Sequence, residues 1–423
     1  MKSLAERPAR NAGLRAVTVL ALTAALAGTV AAAPAGARRA PAATGGAHGG
    51  PPPAQAEQRR LQRAVERTLR DAGYVSVSVE LRQGRRTWYA QAGEAELGTG
   101  RPVPRHTSFR AASVTKTFVA TVLLQLAAEG RVSLDDTVDH WLPGLVSGNG
   151  NDGRRITLRN LLQHTSGLHN YRYAEDVGNT AADFERTRFD HVGPEQLIAG
   201  ALRHQPDFPP ADPADEEPDW HYSNSGYVLA GMIIERATGR SWSQEVRDRI
   251  VRPLRLTDTY DPGDDASLRA PHAHSYYRFP GSTGWTDTTV LNISRADAAG
   301  ALVSSARDLD TFFTALLGGR LLPAAQLAEM RRTVSLPEEY DQIAPGLRYG
   351  LGLMRQPLSC GGFRWGHTGD SDGGTIRTGL TSDGRRSVVV SASGGSEDEA
   401  ETLRAERAVQ RLVDQALCGP GPS

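Results

Sequence analysis

Lysine is almost absent from this 423-residue chain: 46 of its 48 basic residues are arginine, and Lys2 and Lys116 are the two lysines. Arginine keeps its proton in proteins, whereas a lysine that is desolvated or placed beside another cation can lose it. A chain that keeps a single lysine in its body therefore suggests a site that needs a cation able to become a base.

Net charge and cysteine are also scarce. The formal charge is zero, and the chain beyond its basic N-terminus is slightly negative, so neither nucleic acid nor an acidic membrane is expected as a partner. The two cysteines, Cys360 and Cys418, are too few for a structural zinc site without histidine. In an exported protein they predict one disulfide, with two free thiols as the alternative.

The chain opens with a basic segment, an apolar run and small residues. Lys2 and three arginines precede the apolar residues 16–30, and small residues suited to cleavage follow. The apolar run is shorter than the ~20 residues that a spanning helix needs. The pattern favours a secretory signal peptide over residues 1–37, and hence a secreted protein with no anchor after cleavage. A membrane anchor is the alternative.

Composition and periodicity predict a linker followed by an α+β domain. Residues 38–56 are rich in Pro, Ala and Gly and are expected to be a disordered linker, so the folded domain is predicted over 57–420. Strand patterns occur near both chain ends and helical periodicity between them. We predict a central antiparallel sheet with flanking helices from 57–112 and about 296–418, and an inserted all-helical subdomain at about 113–295.

Periodicity also predicts individual elements. A helix that is apolar on nearly all faces, and therefore buried, follows Ser113. Other patterns indicate a helix from Ser133 onward and a continuous strand over residues 349–354. The last helix is predicted over residues 397–417, with Leu403 in its apolar stripe.

The lysine in the body of the chain follows a serine by three residues, in Ser113-Val114-Thr115-Lys116. This spacing places both side chains on one helix face, and S-x-x-K is the arrangement of serine acyl-transfer enzymes. A serine hydroxyl is a weak nucleophile that needs an adjacent base, and burial lowers a lysine pKa. Lys116 is therefore a candidate base, with a stray surface lysine as the alternative.

Two further short motifs could carry chemistry. In Tyr222-Ser223-Asn224, a tyrosine near a cation can be driven toward phenolate, and an amide can hold a substrate carbonyl or orient the lysine. In Gly366-His367-Thr368-Gly369, the glycines let a ligand approach the backbone, and His367 offers a donor or cation facing a cleft. Each motif alone could equally be a core tyrosine or a surface-turn histidine.

Together, S-V-T-K, Y-S-N and H-T-G resemble the motifs of the penicillin-recognising serine hydrolases, the superfamily of DD-peptidases and class C β-lactamases. They are most similar to those of the secreted D-alanyl-D-alanine carboxypeptidase/transpeptidases, and the resemblance extends over most of residues 57–420. It implies an α/β region plus an all-helical region. It also implies D-Ala-D-Ala-type peptides or related esters and amides as substrates, and β-lactams as inhibitors or substrates. No cofactor or metal and a monomeric state are expected.

The resemblance implies a catalytic role for five residues, of which four belong to the first two motifs and the fifth, His367, to the third. Ser113 would be the acylated nucleophile and Lys116 its base. Tyr222 would pass the proton to the leaving amine and activate the deacylating water. Asn224 would bind the amide on the acyl side of the substrate.

The third motif would bind the substrate, again by resemblance. His367 and Thr368 would face the terminal carboxylate, with Gly369 beside them in the binding strand. The backbone N–H groups of Ser113 and Asp370 would form the oxyanion hole.

Some positions depart from the family pattern. Met354 stands where the family has an arginine that grips the substrate carboxylate, and Arg355 should point to the opposite face of its strand. Asp370 replaces a threonine and would repel a carboxylate, whereas Arg295, in place of a cleft aromatic, restores a cation. We expect a carboxypeptidase/transpeptidase. A β-lactamase, or an esterase or D-amino-acid amidase whose substrate lacks a free C-terminal carboxylate, is the alternative.

Three other interpretations compete. Residues 369–373 match the G-x-S-x-G nucleophile elbow, with Ser371 as nucleophile, but that motif needs a helix after its turn and a strand pattern follows. His272 and His274 could touch a metal, although no carboxylate cluster accompanies them in the sequence. A non-catalytic penicillin-sensing module is the alternative of another class, and the three complete motifs argue against it.

Overall fold

The computed structural model describes residues 53–171, 173–212 and 214–419. The predicted signal peptide and most of the predicted linker lie outside the described residues. The first helix begins at Pro53, so the last four residues assigned to the linker, 53–56, are helical instead. Among the described residues, no helix combines the length and apolar character needed to cross a bilayer.

Strands dominate near both ends of the described chain, and helices dominate between them. The α-helices are α1 (Pro53–Ala72), α2 (Thr115–Ala128), α3 (Val138–Trp141), α4 (Leu158–Gln163), α5 (Tyr173–Val177), α6 (Ala181–Thr187), α7 (Pro194–Ala201), α8 (Asn224–Thr238), α9 (Trp242–Val246), α10 (Arg252–Leu254), α11 (Asp297–Gly300), α12 (Ala306–Leu317), α13 (Ala324–Met330) and α14 (Glu399–Cys418). The strands are β1 (Ser76–Gln83), β2 (Arg86–Gly93), β3 (Ser108–Arg110), β4 (Ser147–Gly148), β5 (Asn151–Asp152), β6 (Tyr276–Arg278), β7 (Thr286–Asp287), β8 (Val303–Ser305), β9 (Val334–Ser335), β10 (Arg348–Tyr349), β11 (Met354–Pro357), β12 (Phe363–Gly366), β13 (Thr368–Ser371), β14 (Gly374–Thr381), β15 (Arg386–Ser393) and β16 (Gly395–Ser396).

A large antiparallel sheet joins the two ends of the chain, as expected from the sequence. Its strand order is β2-β1-β15-β14-β12-β11-β10-β9, so the N-terminal hairpin pairs with the last long strand. β12 and β13 pair one after the other with the same edge of β14, without a shift in register. Trp365 lies opposite Leu380, and Thr368 lies opposite Arg377. The third motif therefore lies on a strand in the middle of the sheet.

Helices cover both faces of this sheet. On one face, Val65 of α1 and Leu412 of α14 pack with Val79 of β1 in one apolar cluster. On the other face, Ile376 and Val389 belong to the cluster that contains α2, α8 and α12. Successive strand residues point to opposite faces, so the alternating apolar pattern of the strands builds two cores at once.

Helix α2 is buried on nearly all sides, as its composition predicts. Phe118 is fully buried and stacks on Phe312 of α12, with 3.6 Å between the ring centroids. Lys116 lies in the first turn of the same helix and is also fully buried. The fold thus places the lysine amine inside an apolar core.

The predicted strand over residues 349–354 is interrupted. β10 ends at Tyr349 and β11 begins at Met354. Between them Gly352 adopts a φ of +68° and lies against α2, where a Cβ would come within 2.7 Å of the Ala120 Cβ. A side chain there would be both strained and obstructed, so the chain turns at this glycine.

Two helix predictions also need correction. Ser133 does not begin a helix, because its N–H and carbonyl bond to Asp136 in a polar turn. The helix starts later, at Val138–Trp141, after Thr137 caps its first turn. In α14, Leu403 is only half-buried, and the apolar stripe runs instead through Ala405, Ala408, Val409, Leu412, Val413 and Ala416.

The predicted disulfide between Cys360 and Cys418 is confirmed. It ties the turn before β12 to the last residue of α14, across a separation of 58 residues. The bond therefore fixes the C-terminal helix against the strand that leads into the third motif.

Replacing both cysteines by serine is expected to lower the free energy of unfolding by about 2–4 kcal/mol, since the cross-link restricts the unfolded chain. Urea denaturation of the oxidised wild type and the double variant measures the difference. The chemically reduced wild type is the control and should resemble the variant. Equal urea midpoints for the oxidised protein and the variant would show that the disulfide does not stabilise the fold.

Candidate active site

Ser113 lies in a short 3-10 turn, Ala112–Val114, that leads into α2. Ala112 has a φ of +48°, a left-handed conformation that costs a residue other than glycine roughly 1–3 kcal/mol. The first hydrogen bond of the turn is donated by the Val114 N–H to the Ala111 carbonyl oxygen at 3.2 Å. The Ser113 N–H comes one residue before this donor, at the start of the turn, where backbone N–H groups have no partner within the helix. Such strain is typical of functional sites.

The strand of the third motif passes directly against this turn. Gly369 of β13 lies so close that a Cβ would overlap the carbonyl oxygen of Ala111. Glycine at this position therefore brings the backbone of Asp370 near that of Ser113. Two segments in such contact can supply the paired N–H donors of an oxyanion hole.

The Lys116 amine has three polar neighbours. Its Nζ lies 3.0 Å from the Ser113 Oγ, and 2.7 Å from both the Asn224 Oδ1 and the Ala299 carbonyl oxygen. Burial lowers the pKa of Lys116 well below its ordinary value. The fold therefore favours the neutral amine.

Two of these neighbours can only accept hydrogen bonds. A neutral amine has two N–H donors and one lone pair, and the oxygens of Asn224 and Ala299 engage both donors. The lone pair is then directed to the third neighbour, the Ser113 hydroxyl, which can donate. This arrangement makes Lys116 a proton acceptor for Ser113, as a general base requires.

Tyr222 lies over the lysine, with its ring centroid 4.8 Å from the Lys116 Nζ. Burial raises the pKa of Tyr222, and a hydrogen bond with the Ser113 hydroxyl offsets only part of that effect. The expectation of a shift toward phenolate is therefore wrong, because burial disfavours the charged phenolate. A neutral Tyr222 hydroxyl beside Ser113 can still transfer a proton.

Asn224 is the first residue of α8, and hydrogen bonds to its backbone and to its side chain fix its position. Its backbone N–H donates to the Asn170 Oδ1 at 2.8 Å, while its own Oδ1 accepts from Lys116. Of the two roles that the sequence suggested, orienting the lysine is the one visible here. Its side chain also lines the cleft, where the amide N–H₂ can donate to a carbonyl.

A buried hydrogen-bond chain that sequence reasoning missed lies behind the third motif. The Ser223 N–H donates to His164 Nδ1 at 3.1 Å, so His164 carries its proton on Nε2. That Nε2 lies 3.1 Å from the Tyr349 hydroxyl, which lies 2.8 Å from His367 Nε2. His367 Nδ1 is 2.6 Å from the Thr368 carbonyl oxygen. Each donor in the chain therefore has one acceptor, although no motif in the sequence marks His164 or Tyr349.

His367 is consequently a buried neutral imidazole, and its predicted place as a donor or cation facing the cleft is wrong. Its side chain is 1% exposed, and burial lowers its pKa to about 3. Both ring nitrogens are engaged by Tyr349 and Thr368. His367 therefore anchors the strand, while half-buried Thr368 lines a small cavity beside it together with Met354.

Asp370 presents a carboxylate in the cleft that Ser113 also lines. Its side chain is 58% exposed and lies 3.0 Å from Nη1 of Arg377. Arg377 is buried and also binds Glu406 of α14 through its Nε at 3.0 Å. One guanidinium thus serves two carboxylates, and the negative charge of Asp370 remains accessible at the cleft.

A cleft of about 280 Å³ opens beside Ser113. Arg295 lies in its wall, but its Nη2 is 2.5 Å from the Asp372 Oδ2. The cation that was expected to replace the missing arginine is therefore paired with a carboxylate. The apolar part of the wall comes from Phe184, Phe279, Leu291 and Ile293.

The strand that carries the arginine in the family carries no cation toward this site. Met354 packs with the aromatic residues Trp220 and Tyr349. Arg355 turns to the other face of β11, where its guanidinium lies 5.0 Å from the Phe363 ring centroid. The opposite orientation expected for adjacent strand residues is confirmed.

Two competing interpretations fail on geometry. Ser371 ends β13, which forms a hairpin with β14, so no helix follows as a nucleophile elbow requires. Within the part of the chain that the structure describes, His272 and His274 do not belong to any group of three or more histidine or carboxylate side chains close enough together to share one cation.

Comparison with known proteins adds independent findings. The family model described as Beta-lactamase matches residues 61–411. A D-stereospecific amidohydrolase from Streptomyces sp. is 39% identical with a TM-score of 0.75, covering 86% of this chain and 99% of that one. D-amino acid amidase from Ochrobactrum anthropi SV3 is 29% identical with a TM-score of 0.70, covering 85% and 97%.

Curated relatives match over a smaller part of the chain. Penicillin-binding protein 4 from Amycolatopsis lactamdurans is 29% identical over 291 residues, or 67% of this chain and 71% of that protein. For a Bacillus subtilis (strain 168) penicillin-binding protein that is 32% identical over 167 residues, the chain spans about a third of the relative's length.

Lys116→Arg is expected to slow acylation of Ser113 by about 100- to 10,000-fold, because arginine cannot give up its proton to act as a base. The rate of covalent labelling by a fluorescent penicillin, followed by mass spectrometry, measures the effect. The labelling rate of the wild type should fall as the pH drops through the depressed Lys116 pKa. The labelling rate of the variant should not show this decrease. Labelling within tenfold of wild type, in a variant with native near-UV circular dichroism, would contradict this role.

Gly369→Ala is expected to slow acylation by about 100-fold, because the new Cβ pushes β13 away from the turn that holds Ser113. The matched control is Gly284→Ala, since a Cβ at Gly284 meets no atom within 4 Å. Both variants are compared by labelling rate and melting temperature. Equal labelling rates would mean that close contact between strand and turn is not needed.

Proposed function

Because this chain belongs to the beta-lactamase family, and is a serine hydrolase of its penicillin-binding type, we propose that it hydrolyses amides or esters of D-amino acids. The reaction proceeds through an acyl-enzyme on Ser113. This substrate class is more specific than membership of the family implies, and it is one of the alternatives that the sequence left open.

The charge around Ser113 carries this proposal. A free substrate carboxylate needs a cation. Of the two arginines that line the cleft, Arg295 is paired with Asp372 and Arg110 donates to backbone carbonyl oxygens, and Met354 occupies the expected arginine position. Asp370 instead presents an exposed carboxylate in the same cleft as the nucleophile. This field disfavours a substrate that ends in a carboxylate and favours one that carries an ammonium group, such as the free amine of an amino-acid amide.

Proton transfers follow from the geometry. Ser113 Oγ attacks the carbonyl carbon while its proton passes to the neutral Lys116 amine. The oxyanion is stabilised by the N–H groups of Ser113 and Asp370. Lys116 returns the proton through the Tyr222 hydroxyl to the leaving nitrogen or alkoxide, which breaks the bond to the acyl group.

Deacylation repeats these transfers with water. A water molecule gives its proton along the same hydroxyl and amine, its oxygen attacks the ester carbonyl, and the proton returns to Ser113 Oγ as the acid leaves. His367 takes no part in these transfers, because both of its ring nitrogens are engaged within the buried chain.

The structural relatives support the proposed specificity. Two of them are a D-stereospecific amidohydrolase and a D-amino acid amidase. Carboxypeptidase/transpeptidase activity on D-Ala-D-Ala peptides remains the competing prediction, and penicillins are proposed ligands in either case. We also propose that the protein is exported and monomeric, and the disulfide supports an oxidising compartment.

Substrate preference separates these activities. We expect D-phenylalanine amide, and a D-Ala-D-Ala peptide capped as its C-terminal amide, to be cleaved at least as fast as the same peptide with a free carboxylate. The reason is the accessible Asp370 charge, which opposes a substrate carboxylate. Values of kcat/KM for the three substrates and for L-phenylalanine amide test the preference and its stereochemistry. A tenfold or greater preference for the free acid would overturn the proposal.

The control variants are Ser113→Ala and Asp370→Asn. The first should abolish hydrolysis of every substrate. The second removes the charge while keeping the shape of the side chain, and should raise the relative kcat/KM for the free-acid peptide by about tenfold. An unchanged ratio in Asp370→Asn would show that this carboxylate does not set the preference.

A further inference from the structure

A cluster of potential metal ligands lies apart from the residues that surround Ser113. His169, Glu175 and His204 each offer one ligand atom within 4.8 Å of the other two. His169 precedes α5, which carries Glu175, and His204 follows α7. The cluster thus joins two segments of the helical region that are distant in sequence.

The two imidazoles are arranged around the carboxylate. The rings of His169 and His204 stack with centroids 4.2 Å apart and an interplanar angle of 27°. His204 Nε2 lies 3.3 Å from Glu175 Oε2. Two imidazole nitrogens beside a carboxylate oxygen form a donor set that suits a divalent cation.

A second carboxylate orients one of these rings. His169 Nδ1 lies 2.8 Å from Asp207 Oδ1, so this nitrogen carries the proton and donates it. The lone pair of His169 is then on Nε2, free to bind a cation. Asp207 also binds His221, which fixes the carboxylate itself. A carboxylate behind a ligating histidine is the usual support of a zinc ligand.

We propose that His169, Glu175 and His204 bind one zinc-type divalent cation. Two imidazole nitrogens and one carboxylate oxygen supply three of the four tetrahedral positions, and water supplies the fourth. Zinc–ligand bonds of about 2.0–2.2 Å require the ligand atoms to approach to about 3.4 Å. The exposed Glu175 side chain can make this adjustment by rotating.

The site has a defined place relative to the cleft. The His169 carbonyl accepts from the Ser225 hydroxyl at 2.7 Å, one residue after Asn224. The residues that follow α5, Gly178 and Asn179, line the cleft beside Ser113. A cation here therefore joins the loop before α8 to the cleft wall, without touching Ser113 or Lys116.

Metal binding by the full-length enzyme without a histidine tag tests the proposal. Metal-free protein is titrated with Zn²⁺ by calorimetry, and with Co²⁺ by visible absorption, whose intensity separates four- from six-coordination. One equivalent of Zn²⁺ and an intense four-coordinate Co²⁺ spectrum are expected. His204→Gln and Glu175→Gln should each weaken Zn²⁺ binding by at least about tenfold, since each removes one of three ligands.

The matched control is His191→Gln. His191 is an exposed histidine that binds one carboxylate, Asp264, at 2.6 Å, outside this cluster, so its loss should leave the Zn²⁺ affinity unchanged. Melting temperature with and without EDTA checks that each variant is folded. No Zn²⁺ binding by the wild type, or equal binding by wild type and His204→Gln, would overturn the proposal. Equal weakening by His191→Gln would do the same, because it would indicate adventitious binding to surface histidines.

Discussion

The burial of one amine is the constraint on which the site depends. Lys116 lies in the first turn of a helix that is apolar on nearly every face, so its ammonium form is strongly disfavoured. Two carbonyl oxygens, from Asn224 and Ala299, then engage its N–H groups and leave its lone pair to the Ser113 hydroxyl. The same burial that would destabilise a charged lysine makes this lysine a base.

Several distant segments must meet for this arrangement to exist. Ala299 belongs to α11 and Asn224 begins α8, so helices from three parts of the chain converge on the Lys116 Nζ. Gly352 and Gly369 allow two strand segments to approach α2 and its preceding turn more closely than any side chain permits. Because these two positions carry no Cβ, the backbone can pack directly against α2 and its preceding turn, which places the strands around the Lys116 amine.

The third motif contributes shape and not charge. Its histidine is held neutral within a buried chain that runs through Tyr349 to His164, next to Tyr222. The charged residues that line the cleft are instead Arg110, Arg295, Asp370 and Asp372, and Arg295 is paired with Asp372. Sites of this family usually attract the carboxylate of the substrate, whereas the most exposed charge at this cleft, Asp370, is negative. This difference is the basis for proposing amide and ester substrates.

The sequence by itself determined the strands at both chain ends, the buried helix after Ser113, the cysteine pair and the three motifs, because periodicity and spacing are local properties. It also placed Arg355 on the wrong strand face for a substrate contact. Only the tertiary structure decided that His367 is buried and neutral, that Arg295 is paired with Asp372, and that the pKa of Tyr222 is raised. Burial and ion pairing depend on residues tens to hundreds of positions away, such as His164 and Ala299, and no local pattern encodes which of them will meet.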